Sequence, residues 1–379
     1  MKRLMCFFDG TWNKPDAKDE TTNVVKLFRA VPKHCDHGIE QRAHYVIGIA
    51  TEKALGRFTF AAGAIGIGVT ERIQTGYRFL IENYAPGDEI YLFGFSRGAF
   101  QARTLAGLLT RVGLLREPDP GRIEEVWDVY QAMRTEDASI RLAALGPAMH
   151  PALRIRCIGI WDTVGSIGLP YLRRGWIRRA LSLHSTALEA GVDVGLHALS
   201  IDEPRSAFRP LFWTKPKGQP LPAGQHIEQV WFPGCHANVG GGYPDSGLSD
   251  ISLLWMAERV AATTGAAFDI ARLRRQAQPD PLGEAVDPTT NGVYRLSRAV
   301  PFIRLIRQDA KGIAPWRRAV LGRWRTSWLP DGEETVNEQI HDSAFERLGL
   351  RVKVRRGDRV ALQTYGPRPL RRAATCARR

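Results

Sequence analysis

Residues Asp88–Gly113, DEIYLFGFSRGAFQARTLAGLLTRVG, decide how the rest of the chain is read. Glu89 to Phe93 is a short apolar run and Gly94-Phe95-Ser96-Arg97-Gly98 follows. Phe100, Leu105, Leu108, Leu109 and Val112 then recur at helical spacing. Gly-x-Ser-x-Gly at a strand-to-helix junction is a nucleophile elbow. Its sharp turn presents the serine hydroxyl at the strand's C-terminal edge, and its glycines remove side chains that would clash there. The pentapeptide alone recurs by chance. A strand that ends at the first glycine and a helix that starts just after the serine set this copy apart from an ordinary turn.

The same alternation extends outward in both directions. Leu4–Phe8 is a buried-type strand that ends in Asp9-Gly10-Thr11-Trp12-Asn13, and Asn23 is the expected N-cap of a helix over Val24–Val31. Ala43–Ile49 is a second strand. A helix over Val69–Tyr84 puts Ile73, Tyr77, Leu80 and Ile81 on one face. Beyond the elbow helix, Glu117–Gly121 breaks the chain and residues 122–145 hold one helix or two short ones. Leu153–Trp161 is a strand ending at Asp162-Thr163-Val164-Gly165. Glu228–Phe232 is another, ending at Pro233-Gly234-Cys235-His236-Ala237-Asn238, and Ser249-Asp250 caps a helix from about Ile251 to Thr263. Residues 166–225 show no clear alternation and hold the basic run YLRRGWIRRA (171–180), so they read as a cap-like insertion. From about residue 275 the periodicity fades, and Trp316, Trp324 and Trp328 are interleaved with arginines. The expected class is α/β: an α/β-hydrolase-like fold with a mainly parallel central sheet flanked by helices. The expected division is a catalytic domain over 1–290, carrying the 166–225 insertion, and a basic C-terminal extension over 291–379 packed on the same domain.

Bulk properties narrow the partners. A chain of 379 residues with 44% hydrophobic content buries a full core without staples. The net charge of +14 suits an anionic partner, such as an acidic lipid surface or nucleic acid, or else a solvated basic surface. Cys6, Cys35, Cys157, Cys235 and Cys376 are scattered and form no CxxC pair, which favours a reducing compartment. The apolar run after the first three residues is too short for a signal peptide, Asp9 ends it, and no run reaches transmembrane length, so synthesis in the cytoplasm is expected. His34-Cys35-Asp36-His37 lacks the spacing of a structural zinc site and reads as a polar loop. Gly63–Gly68 lacks the Lys-Ser/Thr of a phosphate loop. No metal and no cofactor is therefore expected.

In an open parallel sheet, ligands gather beyond the C-terminal strand ends. Strands here end at Asp9, Ser96, Asp162 and His236, in the order Ser…Asp…His of α/β-hydrolases. Ser96 is a poor nucleophile until a base takes its proton, and His236 titrates near neutrality. Asp162 would fix the imidazole tautomer. Asp202 and Asp245 are rivals, but only Asp162 follows directly on an apolar strand. The oxyanion needs backbone donors: the Arg97 N–H, next to the nucleophile, and one from the Gly10-Thr11 turn. Asp9 either supports that site or caps its own turn.

FFDGTWN (7–13), GFSRGAF (94–100), WDTVGS (161–166) and WFPGCH (231–236) with its following GGGY (240–243) together resemble the phospholipase-effector-like α/β-hydrolases of type VI secretion, over roughly residues 1–265. The resemblance implies a Ser–Asp–His esterase acting on glycerophospholipid acyl esters. It carries the nucleophile onto Ser96, the acid onto Asp162 and the base onto His236. It also implies export by type VI secretion and a cognate immunity protein. One position departs: the family usually shows an Asp two residues after the histidine, where this chain has Asn238. Two other readings stand beside the phospholipase. One is an esterase or thioesterase with a non-lipid substrate. The other is a non-enzymatic binder of anionic polymer, against which no nucleic-acid motif is found.

Overall fold

Alternation along single strands sets the layers. In β1 (Lys2–Phe8), Leu4, Cys6 and Phe8 enter one core and Met5 and Phe7 the other, because successive strand side chains point to opposite faces. All five are fully buried, so both faces of the sheet are covered. The computed structural model describes residues 1–10, 21–35, 38–48, 61–133, 138–150, 153–164, 186–290, 302–306, 333–367 and 370. After β1 come α1 (Asn23–Arg29), β2 (Glu40–Val46), α2 (Ala61–Asn83), β3 (Glu89–Phe95) and α3 (Arg97–Arg111). Helices over Pro120–Ala132 and Ala138–Leu145 lead to β4 (Ile155–Trp161), β5 (Val192–Ser200), β6 (Thr214–Pro216) and β7 (His226–Phe232). Helices His236–Gly240, Gly247–Thr264 and Ile270–Gln276 follow. The described chain then gives β8 (Ala285–Val286), β9 (Glu333–Thr335), β10 (Glu338–Ile340), a helix over Asp342–Arg347, and the hairpin β11 (Arg351–Arg356) and β12 (Arg359–Thr364).

The main sheet has seven strands in the order β10-β7-β5-β4-β3-β1-β2, and every neighbouring pair is parallel. On one face, residues of α2 and α3 (Ile73, Tyr77, Leu80, Leu105, Leu109) pack on Leu4, Phe8, Leu92 and Ile160. On the other, α1 and the helix Gly247–Thr264 (Val24, Leu27, Leu253, Met256) pack on Phe7, Tyr91, Phe93 and Trp161. A parallel sheet with helices on both faces and a nucleophile elbow after a central strand is an α/β-hydrolase-like fold. Among the described residues, no helix is long and apolar enough to cross a membrane.

The register brings the reactive strand ends together. Phe95 pairs with Trp161 and Trp161 with Ala198. One residue further on, Ser96 N–H donates to Trp161 O at 3.0 Å and Asp162 N–H to Ala198 O at 2.8 Å. Asp9 N–H likewise donates to Val46 O at 3.1 Å. Each of these residues is held by the last rung of its ladder, so their backbones stand side by side at about the inter-strand spacing of ~4.8 Å.

Several expectations need correction. The stretch 166–225 is not all outside the strand–helix alternation, because Val192–Ser200 is β5, a fully buried central strand between β4 and β7. Asp193, His197 and Ser200 interrupt its apolar pattern. Each has a buried or partly buried partner: Asp193 receives Arg154 and Arg156, His197 Nε2 accepts the Thr163 N–H, and Ser200 donates to Asp162. The basic run 171–180 lies outside the described residues, as do Asp36, His37, Cys376 and the tryptophans at 316, 324 and 328. The region after 275 holds strands after all: β10 pairs with β7 at the edge of the main sheet, and β8 pairs with β11. The N-cap of α1 is Thr22, whose Oγ1 accepts the Val25 N–H, while Asn23 is buried and donates to Val239 O and Ser249 O. The helix expected from Ile251 starts earlier, at Gly247.

Gly98 shows what the elbow demands of its glycines. A Cβ there would stand 2.0 Å from the Phe8 carbonyl oxygen, so α3 can approach the end of β1 only without a side chain. Gly98→Ala is expected to lower unfolding free energy by about 3 kcal/mol, at the upper end of overpacking costs. Gly121→Ala, in an exposed first helical turn where a Cβ meets only Asp119 Oδ1 at 3.5 Å, should be neutral or slightly stabilising. Urea unfolding of the two variants beside the parent checks this; equal midpoints would remove the steric account of Gly98.

Candidate active site

Ser96 sits between β3 and α3 with φ 59° and ψ −117°, a region a β-carbon-bearing residue seldom occupies. The strain is held by a rung on one side, Ser96 N–H to Trp161 O, and by Phe100 N–H donating to Ser96 O on the other. Asp162 also has a positive φ, 40°, at the end of β4. His236 is not in a loop: it is the first residue of the short helix His236–Gly240. A Cβ on Gly240 would fall 2.0 Å from the Phe95 ring, so glycine there lets that helix close on the residue before the serine. The Phe95 and His236 rings are 4.6 Å apart, and Phe208 meets the imidazole edge-on at 4.9 Å.

Asp162 and His236 meet directly, with Nδ1 and Oδ2 2.5 Å apart. Both side chains are buried. Nδ1 faces the carboxylate, so the neutral ring carries its proton there and leaves Nε2 as an acceptor. Nε2 is buried and has no hydrogen-bond partner among the described residues. The Ser96 hydroxyl and Nε2 make no hydrogen bond to each other, a contact that in resting enzymes often tightens only with substrate.

The residue that the sequence reading missed is Arg304. Its guanidinium has no exposed surface and donates to both oxygens of Asp162, to Ser200 O and Oγ and to Phe208 O. Ser200 adds its N–H and hydroxyl to the same carboxylate. Burial alone would raise the Asp162 pKa, but the Arg304 charge and the His236 hydrogen bond outweigh it and hold the group well below the usual carboxylate range. Burial lowers the His236 pKa, and the attraction of Asp162 restores only part of the loss. A second ion pair flanks the ring. Glu203 Oε2 accepts the His236 N–H at 3.2 Å, and both Glu203 oxygens bind Arg205, whose guanidinium lies 3.6 Å from the Phe208 ring centroid. Nothing in the pattern around Arg304 marks it, since one arginine among many carries no signal in a stretch without periodicity.

The remaining predicted residues fall as follows. Asp9 Oδ1 accepts the Gly10 N–H at 2.6 Å and Oδ2 accepts Thr22 Oγ1 and Tyr45 Oη, so Asp9 fastens the turn after β1. The Gly10 N–H is thereby engaged. Thr11 lies outside the described residues. Arg97 opens α3, which puts its N–H at a helix N-terminus. Asn238 touches the histidine turn rather than the ring. Its Oδ1 accepts from Cys235 N, Cys235 Sγ and Val286 N, and its Nδ2 donates to Glu284 O. An aspartate there could accept but not donate. The rival acids serve backbone: Asp202 receives Gly234 N–H and Tyr365 Oη, and Asp245 receives Gly247 and Glu284 N–H. Among the described residues, no group of three His, Cys, Asp or Glu side chains could hold a metal ion.

An uncharacterized protein of Saccharomyces cerevisiae is 28% identical over 234 residues, 56% of this chain and 33% of that protein. A crystal structure of an uncharacterized Pseudomonas aeruginosa protein aligns with TM-score 0.44 and 18% identity, over 72% of this chain and 47% of its own. The Tle1 effector bound to the VgrG spike of a type VI secretion system aligns with TM-score 0.36 and 20% identity, over 65% and 52%. The chain thus spans about a third to a half of these relatives. Residues 2–259 match the family described as "T6SS, Phospholipase effector Tle1-like, catalytic domain", more than half of the chain, and the protein belongs to that family.

Proposed function

We propose that the protein is a serine esterase that cleaves the carboxylic esters of glycerophospholipids through an acyl-enzyme. The observation that carries the proposal is the buried Asp162–His236 pair, 2.5 Å apart, on the same sheet rim as a strained Ser96. In this mechanism His236 Nε2 takes the Ser96 proton as Oγ attacks the ester carbonyl, and then returns it to the leaving alcohol. Asp162 holds the Nδ1 proton and stabilises the imidazolium. The Arg97 N–H is one oxyanion donor. The second oxyanion donor is expected from the Gly10-Thr11 turn, where Asp9 engages the Gly10 N–H. Family membership supports lipid as the substrate, and export by type VI secretion with a cognate immunity protein as partner.

Three measurements test this reading. A fluorophosphonate probe should label the parent and spare Ser96→Ala, and ester turnover in that variant should fall by about 10³-fold or more. Equal labelling of both would remove Ser96 from the mechanism. Phospholipids should be cleaved in preference to short soluble esters.

The pH dependence has a definite sign. His236 is depressed, so the acid limb of kcat/KM should lie below the ordinary histidine value of about 6.5. Below that value the unfolded chain binds the histidine proton more readily, so this contribution to stability is present above the unfolded value and is lost as pH falls through the lower, folded one. Depressed Asp162 adds a second loss as pH falls further below the ordinary carboxylate range. Arg304→Met should move the acid limb upward, because a cation beside the pair is gone. It should also cost about 3–5 kcal/mol of unfolding free energy, the range for breaking a buried pair. A pH–rate profile unchanged in Arg304→Met would contradict this electrostatic account.

A further inference from the structure

We infer that the β11–β12 hairpin is a docking surface for an anionic lipid bilayer. The inference rests on the phospholipase reading for its biological sense, and on three local observations for its physical basis. The first is the pattern of one face. In the antiparallel register Arg351, Lys353 and Arg355 stand opposite Thr364, Leu362 and Val360, so three cations and two aliphatic side chains share a face. All six residues are exposed. The opposite face carries Val352, which is 2% exposed, and packs inward. The second is where apolar surface is exposed. Eight large hydrophobic side chains stand exposed among the described residues, and four of them, Phe345 (40%), Leu350 (46%), Val360 (45%) and Leu362 (56%), fall within residues 345–362. Of these, Val360 and Leu362 share the cationic face of the hairpin, and aliphatic side chains exposed beside charges in this way fit an interaction surface. The third is charge. Residues 351–359 hold five cations (Arg351, Lys353, Arg355, Arg356, Arg359) and one acid, Asp358. Glu284 and Asp287 engage Arg355 and Arg356, while Arg351, Lys353 and Arg359 form no ion pair among the described residues.

Cations interleaved with exposed aliphatics fit a surface of acidic head groups over acyl chains. The hairpin is also joined to the histidine turn. Tyr365, just after β12, donates to Asp202 Oδ2 at 3.0 Å, and the same oxygen accepts the Gly234 N–H at 2.7 Å, two residues before His236. A cavity of about 370 Å³ lies between the two, lined by Asp202 and Cys235 on one side and Val354, Gln363 and Tyr365 on the other. The cavity meets the inward face of the hairpin, which carries Val352, Val354 and Gln363, and the cationic face turns to solvent.

The test uses the full chain carrying Ser96→Ala, so that lipid is not consumed, and sedimentation with vesicles. The parent is expected to bind vesicles containing phosphatidylglycerol and not pure phosphatidylcholine, with binding weakened in 0.5 M salt. Arg351→Glu with Lys353→Glu should weaken that binding by about a hundredfold or more at low salt. Leu362→Ser should weaken it severalfold with the charges intact. With Ser96 restored, both variants should hydrolyse a monomeric short-chain ester at the parent's rate, which shows that they fold. Equal binding to both vesicle types, or charge-reversal variants that bind like the parent, overturns the inference. So does binding of duplex DNA, lost in the charge-reversal variant, by a parent that ignores vesicles. Loss of the serine mechanism would show separately, as unchanged ester turnover in Ser96→Ala, and leaves the vesicle result readable on its own.

Discussion

The site is organised by one carboxylate with no exposed surface that answers to two partners. Asp162 faces the imidazole of His236 on one side and the guanidinium of Arg304 on the other, with Ser200 completing its coordination. A buried carboxylate costs several kcal/mol unless its charge is met nearby. Here the countercharge comes from residue 304, far along the chain from β4. The rim is therefore complete only when the segment 302–306 has folded onto the ends of β4 and β5. Leu199, Ile201, Phe212 and Trp231 pack with Ile306, Val352 and Tyr365 in a third apolar cluster that secures this closure.

That dependence bears on how the chain divides. The family match stops at residue 259, and the sequence suggests a boundary near 290. Arg304, β10 and the hairpin all lie beyond both. Asn238 ties the same region to the histidine helix through Glu284 O and Val286 N–H, and β8 in turn pairs with β11. The histidine turn is thus clamped from behind by residues outside the matched segment. We propose treating the described segments 302–306 and 333–367 as part of the same folded unit as the catalytic rim.

The sequence made the centre of this molecule readable because the elbow has a steric signature. Gly94, Gly98 and a helix-period run leave few other folds, and four strand ends with polar turns locate one rim. Ser96, Asp162 and His236 could be paired because Ser96 and Asp162 follow directly on apolar strands and His236 lies in the turn after a third. β5 was hidden because Asp193, His197 and Ser200 break its apolar run, and their partners, among them the Thr163 N–H and Asp162, are distant in sequence. Arg304 was hidden for a related reason. Its meaning lies wholly in what it touches, and periodicity reports which face a residue occupies, not which charge waits there. Asn23 looked like a cap because asparagine favours that position. Its amide instead bridges α1 to two later helices, a tertiary bond that outcompetes the local one.

Arg304 also sets a trade-off in the proposed chemistry. Its charge keeps Asp162 ionised, and that preserves the anion which orients Nδ1–H. The same charge opposes the imidazolium that forms when His236 takes the serine proton. The ring is a weaker base than a free histidine chiefly because it is buried, and it needs no prior loss of a proton at neutral pH. The second ion pair works on the same balance from the other side: Glu203, drawn below its ordinary range chiefly against burial by Arg205, holds a negative charge at the N–H of His236. Asp162 and Glu203 raise the proton affinity of the imidazole and Arg205 lowers it, but burial of the ring outweighs them. Its basicity is then governed mainly by burial, and so by how well the C-terminal segments keep water from the rim.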